Sequence, residues 1–289
     1  MRILVIKTGE TELLVDSPKE AISLGEAFRS GVILSRLLKR HRIFWVGPEA
    51  LKSLWPHHPH LTVLSADAPW PEVDAVINLE RVRRWAIRAS RVPARGFFLD
   101  SDSRWKTRPH VGALEDMLKN PALRRINRRP HPFWLFALCG LKWRGERYWS
   151  YCRLERMRKK PLVGFNFRVG KRWPEKAWPL SRWEELEGEL EVLGFEISWQ
   201  PQGSIEGYRE WIRGLDAVVS SDSLGLHLAV GMGVPAVGLF APTFKQEVPK
   251  YGACIWLDDP RGMRHEPARV CRALRCLLKK RYYLNRDVS

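Results

Sequence analysis

The sequence predicts an α/β fold in which parallel strands alternate with helices. Apolar runs of about four to six residues recur along the chain, and amphipathic or mixed segments separate them. Runs of this length are typical of strands buried on both faces, and the segments between them are long enough for helices. The 289 residues exceed the usual size of one open α/β domain and suffice for two, each with its own core.

The first half of the chain carries a regular β-α-β-α alternation. Strands are predicted at Ile3–Ile6, Ile43–Val46, Leu61–Leu64 and Ala75–Asn78, with helices at Gly31–Leu38 and Pro48–Trp55. From Glu80 to Arg147 the alternation gives way to a segment rich in Arg, Trp and Pro. Such a segment is either a solvated face or a contact surface, and the interleaving of tryptophans with arginines keeps the second interpretation open.

The alternation resumes after a charged segment, Tyr151–Lys160, which we interpret as a linker. Strands are predicted at Leu162–Asn166, Glu196–Trp199, Leu215–Ser220 and within Gly233–Thr243, with helices at Ser181–Leu193, Ile205–Arg213, Leu228–Met232 and Arg272–Arg281. We therefore predict an N-terminal domain at residues 1–155 and a C-terminal domain at residues 156–270. Residues 271–289 are expected to form a helix that packs back on the N-terminal domain.

The charge of the chain is strongly positive. Lysine and arginine number 49 against 32 aspartate and glutamate residues, which gives a net charge of +17. A surface of this charge attracts nucleic acids, anionic membranes or phosphorylated substrates, and composition does not choose among them.

Cysteine use and hydropathy favour a cytoplasmic location. The five cysteines are scattered and form neither a C-x-x-C pair nor a His-Cys cluster, so neither a disulfide framework nor a zinc site is predicted. The apolar start of the chain, Met1–Lys7, is too short for a signal peptide and fits a first strand. The longest apolar stretch, Pro132–Leu141, falls well below the roughly 18 residues needed to cross a bilayer.

The most informative motif lies where a buried strand is expected to meet a helix. It places Ser221, Asp222, Ser223, Gly225 and His227 within seven residues. Such a junction points backbone N–H groups and the positive end of a helix dipole at one spot, which suits an anion. Serine and aspartate are also ordinary helix caps, so this segment alone does not require a ligand.

Two further segments are expected at neighbouring strand ends. One is the turn at Thr243, and the other is a basic loop that includes Arg168, Gly170, Lys171 and Lys176. Because ligands of open α/β sheets bind outside the carboxyl ends of the strands, these segments and the Asp222 motif are predicted to hold a diphosphate from two sides. The spacing of a P-loop is absent, and no G-x-G-x-x-G follows a strand.

Residues 162–245 resemble glycosyltransferase family 9, the ADP-heptose:lipopolysaccharide heptosyltransferases. The resemblance rests on Lys176-Ala177-Trp178-Pro179, on the run from Asp222 to Ala229, and on Gly233–Thr243. It implies the GT-B architecture, two Rossmann-like domains with parallel sheets facing each other across a cleft, with the donor held mainly by the C-terminal domain. The segment starting at Lys171 is a competing match to the K-x-W-P pattern, and we prefer Lys176.

The resemblance implies a donor site and an inverting, metal-independent sugar transfer. The implied donor-binding residues are Arg168, Gly170, Lys171, Lys176, Asp222, Ser223, Gly225, His227 and Thr243. The developing negative charge of the departing diphosphate would be stabilised by Lys176, which is thus predicted to be catalytic. No cofactor and no metal site are expected.

The family's other signature is an N-terminal L-G-D whose Asp acts as base on the acceptor hydroxyl. Here the similar segment is Leu24-Gly25-Glu26, so Glu26 is the predicted base. The acid is one methylene longer than in the family, and Glu10 and Asp16, in an insertion before the motif, are rival candidates.

The implied partners are a nucleotide-sugar donor, expected to be ADP-heptose, and a phosphorylated lipopolysaccharide core acceptor at the inner face of the cytoplasmic membrane. Arg29, Arg128 and Arg129 are predicted to bind the acceptor, and basic segments at 81–95 and 124–129 are expected to face the anionic membrane. Two alternatives stay open: a catalytically silent nucleotide-sugar binder, and a basic nucleic-acid-binding protein, although no nucleic-acid motif is present.

Overall fold

The computed structural model describes residues 1–10, 22–120, 122–155, 158–170, 173–241 and 243–282, with the side chains of 280–282 left out. The chain divides into two compact units. The first comprises residues 1–149 and 246–249, and the second comprises residues 150–245 and 250–289. The division falls a few residues before the predicted boundary at 155, within the segment that leads into the charged linker.

The first unit is built on a six-stranded sheet in the order β3-β2-β1-β4-β5-β6, in which β6 alone is antiparallel to its neighbour. Its elements are β1 (Arg2–Ile6), α1 (Leu24–Ser30), α2 (Leu34–Leu37), β2 (Arg42–Val46), α3 (Leu51–Leu54), β3 (Leu61–Leu64), β4 (Ala75–Asn78), α4 (Arg83–Ala89), β5 (Ala94–Leu99), β6 (Trp105–Arg108), α5 (Gly112–Lys119), α6 (Leu123–Ile126) and α7 (His131–Leu138). The order reverses between β1 and β4, as it does in doubly wound nucleotide-binding sheets.

The second unit is built on a five-stranded parallel sheet in the order β11-β10-β9-β7-β8. Its elements are β7 (Leu162–Asn166), α8 (Leu180–Val192), β8 (Glu196–Trp199), α9 (Ile205–Arg213), β9 (Ala217–Ser221), α10 (Leu224–Met232), β10 (Ala236–Phe240), β11 (Cys254–Asp258) and α11 (Pro267–Tyr282). Here the order reverses between β7 and β9.

Each sheet carries its own apolar core because its inner strands are buried on both faces. In the first unit, Trp85 of α4 packs on side chains of β1, β2 and β4. In the second, Trp183 and Leu186 of α8 and Leu274 of α11 cover one face of the sheet. Most of the predicted strands are confirmed, since a run of buried β-branched and leucine side chains has few other stable conformations.

Three predictions of elements were wrong. The helix predicted from Gly31 begins at Leu24, where Ser23 caps it by accepting a hydrogen bond from the Glu26 N–H. The helix predicted from Leu228 begins at Leu224, directly after β9. The βα alternation also continues beyond Glu80, because α4 and β5 extend the first sheet.

The C-terminal helix begins earlier than predicted, at Pro267, and it packs within the second unit. Its contacts are with α8, β10 and β11, and Val270, Cys271, Leu274 and Leu278 are part of that core. The predicted packing of residues 271–289 on the N-terminal domain stays a prediction, and residues 283–289 lie outside the described part of the chain.

Candidate functional site

Polar side chains gather at the point in each sheet where the strand order reverses. In the second unit, Asn166 ends β7 and Ser221 ends the neighbouring β9. In the first, Lys7 follows β1 and Glu80 lies two residues beyond β4. Because adjacent connections leave toward opposite faces at such a point, a crevice opens there, and this is where open α/β sheets bind ligands.

Lys176 and Asp222 meet at the reversal point of the second sheet. The Lys176 Nζ donates to the Asp222 backbone carbonyl at 2.9 Å and lies 3.2 Å from its Oδ2. The Nε2 of His227, one turn into α10, lies 3.5 Å from Asp222 Oδ1. All three side chains are largely buried. The structure therefore brings together three predicted donor-binding residues that are up to about fifty positions apart in sequence.

A hydrogen-bond network lies beneath the start of α10. The Asn166 Nδ2 donates to the Oγ atoms of Ser220, at 2.7 Å, and Ser223, at 2.8 Å, while its Oδ1 accepts from the Tyr208 hydroxyl at 2.5 Å. Burial raises the pKa of Tyr208, so the hydroxyl stays protonated and donates. Ser223 is the N-cap residue of α10 but makes no side-chain capping bond, because its Oγ accepts from Asn166 instead.

Gly225 packs directly against this network. A Cβ at this position would lie 2.4 Å from the Tyr208 hydroxyl and 2.5 Å from Asn166 Cγ and Nδ2. Both of those side chains are held by hydrogen bonds, so neither can move away without loss. The close packing alone explains a glycine at this position.

The buried environment of Trp178 supports the choice of Lys176 over Lys171. Trp178 is 3% exposed, packs edge-to-face on Trp183 and donates its Nε1 hydrogen to the carbonyl of His265 at 3.0 Å. Trp173, which holds the same place in the competing segment, is 42% exposed. Lys171 itself lies outside the described residues.

The remaining predicted donor residues follow strands β7 and β10 at the same end of the second sheet. Arg168 and Gly170 lie in the loop after β7, and the Arg168 guanidinium stacks on the Phe167 ring. Thr243 follows β10, and its Oγ1 is buried without a hydrogen-bond partner among the described residues. The role of these three residues in donor binding stays a prediction.

A buried ion pair marks the reversal point of the first sheet. Lys7 Nζ lies 3.1 Å from Glu80 Oε2, and the two residues are 8% and 2% exposed. Glu80 also accepts hydrogen bonds from the Gly9 N–H at 2.6 Å and the Thr8 hydroxyl at 3.4 Å. Burial raises the pKa of Glu80, an effect that Lys7 and the Gly9 N–H oppose.

The predicted base, Glu26, lies beside this ion pair. Its Oε2 is 3.8 Å from Lys7 Nζ, and its side chain is one-third exposed. The rival Glu10 is bound through its two carboxylate oxygens to Arg84 and to the Trp85 Nε1 hydrogen. Asp16 lies outside the described residues. Glu26 is partly open to solvent, as a base that must reach an acceptor hydroxyl needs to be, and its role as base stays a prediction.

The predicted acceptor-binding arginines differ in their surroundings. Arg128 and Arg129 are exposed between α6 and α7, and Arg129 stacks on Phe133. Arg29 is buried on α1. In the 81–95 segment, Arg84 and Arg88 stack on Trp85 and Trp70, so much of the interleaving of arginine and tryptophan is internal packing.

Four residues of these two sites were missed in the sequence: Lys7, Glu80, Asn166 and Tyr208. Three of them end, or closely follow, a strand that was predicted correctly. A search for polar residues at the ends of predicted strands would have found Lys7, Glu80 and Asn166. Tyr208 lies inside α9, so its position in the sequence does not mark it as a site residue.

The family model for glycosyltransferase family 9 (heptosyltransferase) matches residues 200–258. This segment runs from the end of β8 through β11 and includes Asp222, Ser223, Gly225 and His227. The resemblance to glycosyltransferase family 9 is thus confirmed. So is the predicted class of enzyme, a glycosyltransferase.

Solved structures of two heptosyltransferases and of a family 9 glycosyl transferase share the fold over nearly the whole chain. E. coli ADP-heptose lps heptosyltransferase II is 15% identical with a TM-score of 0.66, covering 97% of this chain and 99% of that one. E. coli heptosyltransferase WaaC with ADP is 15% identical with a TM-score of 0.64, covering 96% and 100%. A family 9 glycosyl transferase from Veillonella parvula is 17% identical with a TM-score of 0.61, covering 96% and 97%.

At these identities the likeness establishes the fold, and the predicted α/β, GT-B class is confirmed. No curated protein sequence is significantly similar to the chain. Among the described residues, no helix is long and apolar enough to span a bilayer, and no cluster of three or more metal-ligating side chains is found.

Proposed function

We propose that this protein transfers a heptose from ADP-heptose to a lipopolysaccharide inner-core acceptor, with inversion at the anomeric carbon. The observation that carries the proposal is the grouping of Lys176, Asp222 and His227 at the reversal point of the second sheet. Two of these residues lie in the segment that matches the glycosyltransferase family 9 model. A structure of similar fold, that of WaaC, holds ADP.

The second unit would bind the donor diphosphate. The first N–H groups of α10 have no acceptor within the helix, and the helix dipole adds positive potential there. Because the Ser223 hydroxyl is bound to Asn166, it does not cap these groups. Lys176 now donates to Asp222, and we propose that its ammonium turns to the diphosphate when the donor binds.

Departure of the nucleotide needs positive charge rather than a proton. The bond between the anomeric carbon and the diphosphate oxygen breaks, and the negative charge develops on the diphosphate. Lys176 and the start of α10 would stabilise that charge in place as the bond breaks, and we propose that they do so without a metal ion.

The first unit would activate the acceptor. In our proposal the Glu26 carboxylate takes the proton from the attacking sugar hydroxyl as the new glycosidic bond forms on the face opposite the leaving group. Glu26 is partly exposed, as a base that meets a polymeric substrate must be. The exposed arginines Arg128 and Arg129 would bind phosphate groups of the acceptor, and the enzyme would act at the cytoplasmic face of the inner membrane.

Ligand-dependent stability tests the donor site. We expect ADP to raise the melting temperature more than UDP or GDP does, because a ligand that binds only the folded state stabilises it. Replacing Lys176 by Gln should weaken ADP binding about 10- to 100-fold, since hydrogen bonds to charged groups contribute about 1.5–3 kcal/mol. Lys250→Gln, an exposed lysine over Trp256 in the same unit, is the matched control and should bind ADP normally.

Turnover tests the reaction itself. Purified protein, ADP-heptose and a phosphorylated lipopolysaccharide inner-core acceptor should release ADP, and Glu26→Gln should abolish most of that release while ADP binding is kept. ADP binding without any transfer would instead support the catalytically silent binder. Full turnover by Glu26→Gln would show that Glu26 is not the base and that another group takes the proton.

A further inference from the structure

The buried pair of Lys7 and Glu80 has no part in the proposed reaction. A buried ion pair is an expensive feature, because both charges lose their hydration and only good geometry compensates for the loss. This pair lies at the reversal point of the first sheet. The predicted base Glu26 is close by, since its Oε2 atom lies 3.8 Å from Lys7 Nζ. Its position suggests a role in the chemistry of that base.

The Lys7 ammonium lies between two carboxylates but is closer to one of them. Its distance is 3.1 Å to Glu80 Oε2 and 3.8 Å to Glu26 Oε2, so only the first is a hydrogen bond. Glu80 is 3% and Glu26 33% exposed at the side chain. Coulomb attraction is stronger at a shorter distance and in surroundings with less water. The Lys7 ammonium is therefore attracted more strongly to Glu80 than to Glu26.

Glu80 is held rigidly in this position. Its carboxylate accepts the Gly9 N–H at 2.6 Å, and its own N–H donates to Asn78 Oδ1 at 3.0 Å. Asn78 is fixed in turn by donating to the Phe97 carbonyl at 2.9 Å. The chain of bonds ties the carboxylate to β4 and β5, and the Lys7 N–H donates to the Val46 carbonyl of β2.

We propose that Glu80 is a positioning residue that holds the Lys7 ammonium away from Glu26 and so keeps the Glu26 carboxylate available as a proton acceptor. This inference rests on the proposed function, in which Glu26 is the base. Without Glu80, Lys7 would have Glu26 as its nearest carboxylate and would bind it directly. A carboxylate bound to an ammonium is a weaker base and points away from the acceptor.

Charges near Glu26 come from several elements. Lys7 follows β1, Glu80 follows β4, and Arg29 lies one turn further along α1. Lys7 attracts the Glu26 carboxylate, and Glu80 counters Lys7. A change of one pKa unit in the base corresponds to about a tenfold change in its protonation equilibrium.

The test compares turnover with donor binding in Glu80→Gln, which keeps the shape and the acceptor oxygen but removes the charge. We expect kcat for ADP release in the presence of acceptor to fall about tenfold or more, with the Kd for ADP and the KM for acceptor within about twofold of the unchanged protein. Glu115→Gln is the matched control. Glu115 is equally buried in the same unit and binds Thr107, so this variant should keep the full kcat.

Rescue distinguishes positioning from a structural role. In Lys7→Gln/Glu80→Gln the ammonium is gone, so Glu26 is not captured, and we expect most of the lost kcat to return. If Glu80→Gln fails to fold, this uncharged double variant decides the question by itself. Unchanged kcat in Glu80→Gln, or a double variant as slow as the single one, would overturn the inference. An unchanged protein that never transfers heptose would overturn the proposed function instead.

Discussion

At the scale of single residues, Gly225 shows how tightly the start of α10 is built. Its missing side chain makes room for the Tyr208 hydroxyl and for Asn166, which are hydrogen-bonded to each other. A methyl group there would overlap with both, and one of the two hydrogen-bonded side chains would have to move.

We predict that Gly225→Ala destabilises the protein by about 1–3 kcal/mol, the usual cost of overpacking a filled site. The free energy of unfolding in urea measures the effect. Gly188→Ala is the control, because Gly188 lies in α8, where an added methyl group would meet nothing within 4 Å beyond its own helix. That variant should gain about 0.5–1 kcal/mol from helix propensity, and equal stability changes in the two variants would contradict the prediction.

At the scale of elements, His265 joins three segments of the second unit. Its Nε2 lies 3.1 Å from the Phe240 carbonyl at the end of β10, and its own carbonyl accepts the Trp178 Nε1 hydrogen just before α8. It lies two residues before α11. The imidazole is 1% exposed, and burial lowers its pKa.

This lowered pKa predicts a loss of stability in mild acid. Below about pH 6.5 the unfolded chain binds a proton at this histidine, while the folded protein binds it only at lower pH. The free energy of unfolding should therefore fall as pH drops from about 7.5 to about 5.5, by at most about 1.4 kcal/mol per pH unit from this residue.

Urea unfolding at several pH values measures the slope. In His265→Gln, which keeps a hydrogen-bond donor for Phe240, the slope should be smaller. The exposed His57 supplies the control, since His57→Gln should leave the slope as it is. A slope unchanged in His265→Gln would show that the acid sensitivity arises elsewhere.

The elements also show where sequence patterns are informative. Buried inner strands such as β4 and β7 were predicted to the residue, because a strand covered on both faces reads as a continuous apolar run. The starts of α1 and α10 were placed too late. Both begin with a leucine and a glycine, and the glycine weakens the helical signal, although a serine, Ser23 or Ser223, stands at the N-cap position of each helix.

At the scale of the whole molecule, the net charge of +17 exceeds what a diphosphate site requires. The exposed pair Arg128 and Arg129 lies between α6 and α7, and Ile126 at the end of α6 is exposed beside it in sequence. Basic side chains near an anionic membrane contribute about 1 kcal/mol each.

We predict that the protein binds vesicles containing phosphatidylglycerol and that Arg128→Gln/Arg129→Gln weakens this binding by about 2 kcal/mol, roughly 30-fold. Co-sedimentation at low and physiological salt measures it, and salt should weaken the binding by screening. Arg264→Gln/Arg269→Gln removes the same charge from exposed positions of the second unit and should have a smaller effect. Equal losses in the two variants would mean that net charge, rather than this surface, decides binding.

The amino-acid sequence by itself determined the α/β class, the division into two domains, and the segment around Asp222 that marks the family. These follow from local patterns: apolar runs, linker composition and a motif contiguous along the chain. Only the tertiary structure brought the Lys176 ammonium to Asp222, 46 positions away in sequence, and showed that Trp178 is buried whereas Trp173 is exposed.

Only the tertiary structure, too, brought Glu80 and Lys7 beside Glu26. Their grouping depends on the strand order, which puts β1 next to β4 across some seventy residues of sequence. No pattern along the chain encodes that pairing, because it arises from how the buried strands choose their neighbours.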